Sequence, residues 1–279
     1  MVVQNGIKMK NRIAIKNLDV TAILHPEDKS TMDTLKKIPG FKLVVDKTVG
    51  NVMEKYAAVE YSGESINVSS KCLSTLHYQI AEACRLLDIQ DIPECSINWF
   101  YHIGSFSVGE QRKRMVFPSG SIDLLSTEEL DFLIGHELGH MKCGHKTYHM
   151  LTEAMYRPMV GTDWKFVFNL IKLPLLNWYR ISDFTADRMG LLCCQNIEVA
   201  VTTMIKMAGL PKKFYDQIHV ESFIQQAMDF NESHSGIFDE MIKFFSINAA
   251  CMPWLVVRAS ELLAWYQSGE YERIINIRN

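Results

Sequence analysis

The sequence lacks a long uninterrupted apolar run. Its most apolar stretch, FVFNLIKLPLLNWY at 166–179, is broken by Asn169, Lys172 and Pro174. It is also shorter than the roughly 20 residues a bilayer requires, which argues against a spanning segment and for a buried helix. The opening MVVQNGIKMKNRIAIKNLDV has neither an apolar core nor a small-residue cleavage site, so no signal peptide is expected. Charge of one sign is not in excess either. A net charge of -3 gives no reason to expect nucleic acid as a partner. The seven cysteines are odd in number and lack a tight repeated spacing, which excludes a secreted disulfide framework. Buried thiols in a reducing, cytoplasmic setting are expected instead. No internal repeat, low-complexity run or Ser/Gly-rich linker marks a domain boundary.

What is present is a globular composition. The chain has 279 residues, 48% of them hydrophobic, enough to bury a substantial core. A soft division gives a helical lead-in over residues 1–65 and a main domain over 66–279. In the lead-in, HPEDKSTMDTLKKIPGF suits a short helix capped by Asp28 or Ser30 and stopping before Pro39. Further on, KCLSTLHYQIAEACRLLDI places Leu73, Leu76, Ile80, Cys84 and Leu87 on one helical face. CSINWFYHIGSFSVG and KRMVFPSGSIDLL are aromatic, β-branched and broken by Gly, Pro and Ser, which suits a small sheet with an edge strand. After residue 126 helix dominates. The fold class is α+β, mostly helical, with the small sheet set before a histidine-bearing helix.

That helix carries ELDFLIGHELGHMKCGH at 129–145. Ser126 and Glu129 form a capping-box pattern that starts it, and Gly144 suits its end. Leu130, Ile134, Leu138 and Met141 make an apolar stripe. His136 and His140, one turn apart on a different face, can each bring a ring nitrogen to within about 2.1 Å of one zinc ion. Glu137 projects beside them and can take a proton from a water that zinc has acidified, then pass it to a leaving amine. This is the HExxH pattern of zinc peptidases. Burying three ionisable groups in so apolar a helix without a metal or partners would cost several kcal/mol. His145, beyond Gly144 and off the ligand face, reads as a surface or supporting histidine.

A catalytic zinc takes a third protein ligand and keeps a fourth position open. Glu153, on a straight continuation of the helix, would lie about 20 Å beyond His140. Asp163 reads as a helix cap. Asp183 and Asp187 in WYRISDFTADRMGLLCC share a helix face near the small residues Ala186 and Gly190, which let another helix approach. Zinc on Asp183, with Asp187 bonded to the outer nitrogen of a ligand histidine, would satisfy both carboxylates. Ion pairs with Arg180 and Arg188 are the alternative.

With these residues in hand, the chain resembles the HtpX-like and CAAX-prenyl-protease-like zinc metallopeptidases, of the gluzincin type. The family pairs HExxH with a later Arg-x-x-Glu-x-x-Ala-Asp helix, which RISDFTAD resembles from Arg180 to Asp187. The resemblance implies a zincin-like domain holding one Zn²⁺ on His136, His140 and Asp183, with Asp183 standing for the family's ligand glutamate. Being one methylene shorter, it requires a closer helix approach. Asp187 matches the family's supporting aspartate. GSFSVG at 104–109 resembles the family's substrate-pairing edge strand, which implies that Ser105, Phe106 and Ser107 bind a peptide mainly through backbone. HPEDKSTMDTLKKIPGF and ELLAWYQSGEYERI are similar to a soluble branch without transmembrane helices, so prenylated substrates are not implied.

The family also carries His-Pro with an Arg six residues after the His, the His steadying the oxyanion and the Arg supporting the site. Here CMPWLVVR keeps Pro253 and Arg258 but has Met252 in place of the His. Methionine cannot donate to an oxyanion, a loss of about 100- to 1,000-fold in rate unless His149, His234, Tyr179 or zinc itself compensates. Arg258 reads equally well as a cation on a helix surface. The expected activity is zinc endopeptidase cleavage of extended or unfolded polypeptides, with Glu137 as base and acid and Arg258 in support. The alternative is a zinc-holding protein of little turnover that binds such segments.

Overall fold

The computed structural model describes residues 12–48, 54–109, 112–155, 165–233 and 254–276. Helices α1 (Val20–Ile23), α2 (Pro26–Lys36), α3 (Phe41–Thr48) and α4 (Glu54–Gly63) lead into strand β1 (Ser65–Val68) and helix α5 (Ser74–Leu86). Strands β2 (Glu94–Asn98), β3 (Phe106–Val108) and β4 (Arg114–Pro118) follow. The rest is helical: α6 (Ser119–Leu124), α7 (Thr127–Lys142), α8 (Lys146–Ala154), α9 (Lys165–Cys194), α10 (Ile197–Met207), α11 (Val220–Ser233), α12 (Leu255–Gln267) and α13 (Glu270–Asn276). The class is α+β with helix dominant, as expected.

The sheet has the order β1-β2-β4-β3. β2 and β4 are parallel, with Ser96 opposite Val116, while β1 and β3 run antiparallel to their neighbours. β3 is therefore an edge strand, where GSFSVG was expected to lie. Strand β1 was not anticipated, because SINV is four residues long and only Val68 is buried.

Ser126 caps α7 through both bonds of the capping box, and Gly144 ends it at φ +73. The expected stripe is buried, but so is every residue from Glu129 to Met141. α7 is a central helix, enclosed on several sides by α5, α9, α10 and β3. Its closest neighbour is α9, and small residues set that approach. A Cβ on Gly135 would meet Cys193 Cβ at 2.4 Å, one on Gly139 would meet Met189 Cβ at 2.7 Å, and one on Gly190 would meet Phe132 at 2.8 Å.

Two expectations about helix ends are corrected. Leu76, Ile80, Cys84 and Leu87 are core, but Leu73 sits at the N-cap of α5 with φ 57 and is 45% exposed. The chain must turn into α5 there, so Leu73 leaves the helical face. The cap of α2 is His25, whose side chain accepts from Glu27 N, and not Asp28 or Ser30. Asp28 is 3% exposed and turned inward, accepting from Trp178 Nε1 at 2.7 Å and Thr185 Oγ1 at 2.6 Å.

One core cluster joins Ile15 and Ile23 to α5, the sheet, α7, α9, α10 and α12. A second joins Met32, Leu35, Phe41 and Val45 to Met150, Leu151, Ile171, Leu175 and Trp178, so the N-terminal helices cover α8 and the first half of α9. The apolar stretch at 166–179 lies in α9, continuous through Pro174, with Ile171, Leu175, Leu176 and Trp178 buried and Leu173 48% exposed. Among the described residues no helix is long and apolar enough to cross a membrane. The six described cysteines are free, and four of them are buried.

Candidate metal centre

His136 and His140 project from consecutive turns of α7, and Asp183 projects from α9 across the Gly135–Gly139 contact. The two Nε2 atoms are 3.0 Å apart. Asp183 Oδ1 lies 3.2 Å from Nε2 of His140 and 3.9 Å from Nε2 of His136. A tetrahedral zinc with ligands near 2.1 Å has ligand-to-ligand edges of about 3.4 Å, which these three distances bracket. All three residues are buried and together can hold a metal ion. The close helix approach supplies what a shorter aspartate needs.

The donor set itself calls for a cation. His136 Nδ1 is 2.9 Å from Asp187 Oδ1, so that nitrogen carries a proton, and in the neutral ring Nε2 is left with the lone pair. His140 Nδ1 meets His145 Nδ1 at 3.0 Å. Burial, with Lys146 and the neighbouring histidines, holds the His140 pKa well below the ordinary imidazole value. Oδ2 of Asp183 is buried without a hydrogen-bond partner. Burial also pushes the Asp183 carboxyl up, against the pull of Arg258 and His136. The two Nε2 atoms and Oδ1 of Asp183 therefore converge where a metal would sit, while Oδ2 lies 3.9 Å from Nη1 of Arg258.

Asp187 is fully buried and chelated by Arg258, with Nε to Oδ2 at 2.8 Å and Nη2 to Oδ1 at 2.5 Å. Burial alone would raise its pKa, but Arg258 and His136 outweigh that and hold it low. Arg258 is 1% exposed, so the surface-cation reading is overturned. Its two short bonds both go to Asp187, and its Nη1 lies 3.9 Å from Oδ2 of Asp183. Of the arginines expected on this face, Arg188 instead donates to the carbonyls of Ile23 and Leu24.

Glu137 is 1% exposed and bonded at both oxygens. Ser105 Oγ donates to Oε1 at 2.8 Å, Ser107 Oγ donates to Oε2, and Lys146 Nζ is 3.3 Å from Oε2. Burial would raise this carboxyl, yet Lys146, His136 and the two hydroxyls together lower it. Ser107 of β3 and Ser105 just before it thus meet Glu137 through their side chains. Phe106 packs its ring 5.4 Å from that of Tyr61. Gly109 N donates to Met150 Sδ at 3.3 Å, which sets α8 against the end of β3.

Lys146 and Asp28 were not singled out for this region. Lys146 follows the motif without any spacing of its own, and Asp28 comes from the lead-in, so no sequence pattern joins either to HELGH. His145 is 3% exposed rather than on the surface. His149 is engaged through Nε2 with Ser182 Oγ at 2.8 Å. Asp163, His234, Met252 and Pro253 lie outside the described residues.

Residues 74–265 match the sequence model of peptidase family M48. The chain is also 29% identical to the plastoglobule-localized metallopeptidase 48 of Arabidopsis thaliana, a chloroplastic protein, over 274 residues that make up 96% of this chain and 78% of the relative. No solved structure matches.

Proposed function

The chain belongs to peptidase family M48, and from that premise we propose that it is a zinc-dependent endopeptidase acting on extended or unfolded polypeptides. One observation carries the reading: Nε2 of His136, Nε2 of His140 and Oδ1 of Asp183 gather around one point, with Glu137 beside them. His136, His140 and Asp183 would hold one Zn²⁺ per chain. When bound, the ion supplies a Lewis acid for the scissile carbonyl and lowers the pKa of water.

The remaining steps belong to this chain's own groups. Glu137 accepts the proton of the attacking water at its carboxylate and returns it to the departing amine. Ser107 of β3 and Ser105 just before it hold that carboxylate in orientation, and Lys146 keeps it ionised. The backbone of β3 offers an extended peptide a strand to pair with, which reads main chain more than side chain. Asp187 fixes the His136 ring, and Arg258 positions Asp187. Arg258 is therefore a positioning residue.

Glu137→Gln tests this division of labour. Zinc content should stay at the parental level while hydrolysis of unfolded casein drops by about 10²- to 10⁴-fold. Cleavage at the parental rate would contradict the assignment.

A second reading, a metal-holding module that binds segments with little turnover, is favoured by the closure of the site, since both Glu137 oxygens are engaged and the residue is buried. An extended peptide that protects the amides of β3 from exchange and emerges uncut would favour it.

A further inference from the structure

Gly144, at φ +73, folds the chain back after α7. His145 N consequently donates to the carbonyl of His140 at 3.0 Å, and its ring lies against the His140 ring, Nδ1 to Nδ1 at 3.0 Å. His145 stands at the N-cap of α8, but its side chain makes no capping bond. Its Nε2 reaches Oδ2 of Asp28 on α2 at 3.1 Å. Asp28 is itself held by Trp178 Nε1 and Thr185 Oγ1, both on α9, the helix that carries Asp183. Asp28, His140 and His145 are all at most 3% exposed.

With His145 neutral, one placement of hydrogens satisfies this row of atoms. A carboxylate accepts only, so His145 Nε2 carries a proton and a neutral His145 accepts at Nδ1. His140 must then donate from Nδ1, which leaves its Nε2 lone pair facing His136 and Asp183. The opposite tautomer of His140 would set two Nδ1 lone pairs against each other at 3.0 Å. The His145 ring also packs edge-on against Trp178, with centroids 5.4 Å apart.

We propose that Asp28 and His145 are positioning residues that fix His140 in its metal-binding tautomer, so that the seating of α2 completes the metal centre. The inference rests on the metal reading above. His140 thereby receives from His145 and Asp28 what His136 receives from Asp187 and Arg258. The N-terminal helix becomes part of the centre and not only its cover.

The test uses the full chain, stripped of metal and titrated with zinc against a chromophoric chelator, with cobalt substitution as a spectroscopic check. His145→Leu, which removes the acceptor, should weaken zinc binding by about 10- to 100-fold and alter the cobalt spectrum. His145→Asn, whose amide oxygen stands in the place of Nδ1, should recover most of the affinity. Asp28→Asn should fall between them. Parental affinity in His145→Leu, or an Asn variant as weak as the Leu variant, would overturn the proposal. Thermal unfolding of the metal-free variants is run in parallel. If His145→Leu does not fold, Asp28→Asn decides, and an unchanged affinity there overturns the proposal. A parent that takes up no zinc, or a His140→Ala variant that binds like the parent, would instead bring down the metal reading itself.

Discussion

Arg258 shows at the scale of one residue how much a buried charge depends on its partner. It is 1% exposed, and Asp187 is equally enclosed beneath it. Replacing it by methionine leaves Asp187 buried without its cation, which should destabilise the protein by about 3–5 kcal/mol, read as a lowered denaturant midpoint. Arg258→Lys should recover only part of this, because a single ammonium cannot reproduce two bonds from a planar fork. Loss within 1 kcal/mol in the methionine variant, roughly the value of a surface pair, would contradict the bidentate contact. Single residues were legible in the sequence where chemistry and spacing coincide. His136, Glu137, His140, Asp183 and Asp187 were read from HELGH and DFTAD, and all five lie in one cluster. Lys146 and Asp28 were not, because their meaning arises from contacts that no local period encodes. For Met252 the comparison stops, since it lies outside the described residues.

At the scale of elements, the centre depends on how closely α7 and α9 approach. A Cβ on Gly135 would come within 2.4 Å of Cys193 Cβ and 2.9 Å of Gly190 Cα. Gly135→Ala should therefore push the helices apart, at a cost of about 1–3 kcal/mol. Asp183, the short ligand, should lose its reach in the same variant, so zinc affinity should drop together with the unfolding temperature. A variant that loses stability but binds zinc like the parent would separate the close packing from the metal site. The sequence signalled this contact only through small residues spaced along two helices. It announced α7 far better, because a capping box, a terminal glycine and an apolar helix agree there. β1 escaped because a four-residue strand with one buried side chain carries almost no alternation.

At the scale of the whole molecule, the closed interior makes stability depend on pH. His140 and His149 are held neutral well below the ordinary imidazole pKa, burial being the largest cause for each. The unfolded chain takes up protons near pH 6.5, where the folded metal-free chain does not. Their contribution is fully present above that pH and is lost as the pH falls toward the folded values, at about 1.4 kcal/mol per pH unit for each group. The Asp183 carboxyl, raised by burial, works in the opposite direction at lower pH. Urea unfolding of metal-free protein should show the loss below pH 6.5. His149→Gln keeps a donor for Ser182 and removes one titrating group, so its slope should be shallower by one group's share. An unchanged slope would mean that His149 does not titrate on unfolding.

Added zinc should raise the unfolding temperature in proportion to the logarithm of its concentration, since only the folded chain gathers His136, His140 and Asp183. The most direct measurement is elemental analysis of the purified full-length protein beside its His140→Ala variant. About one zinc per chain in the parent and a large loss in the variant are expected. No stoichiometric metal in the parent, or the same metal content in both, would contradict the metal centre on which the proposed hydrolysis depends.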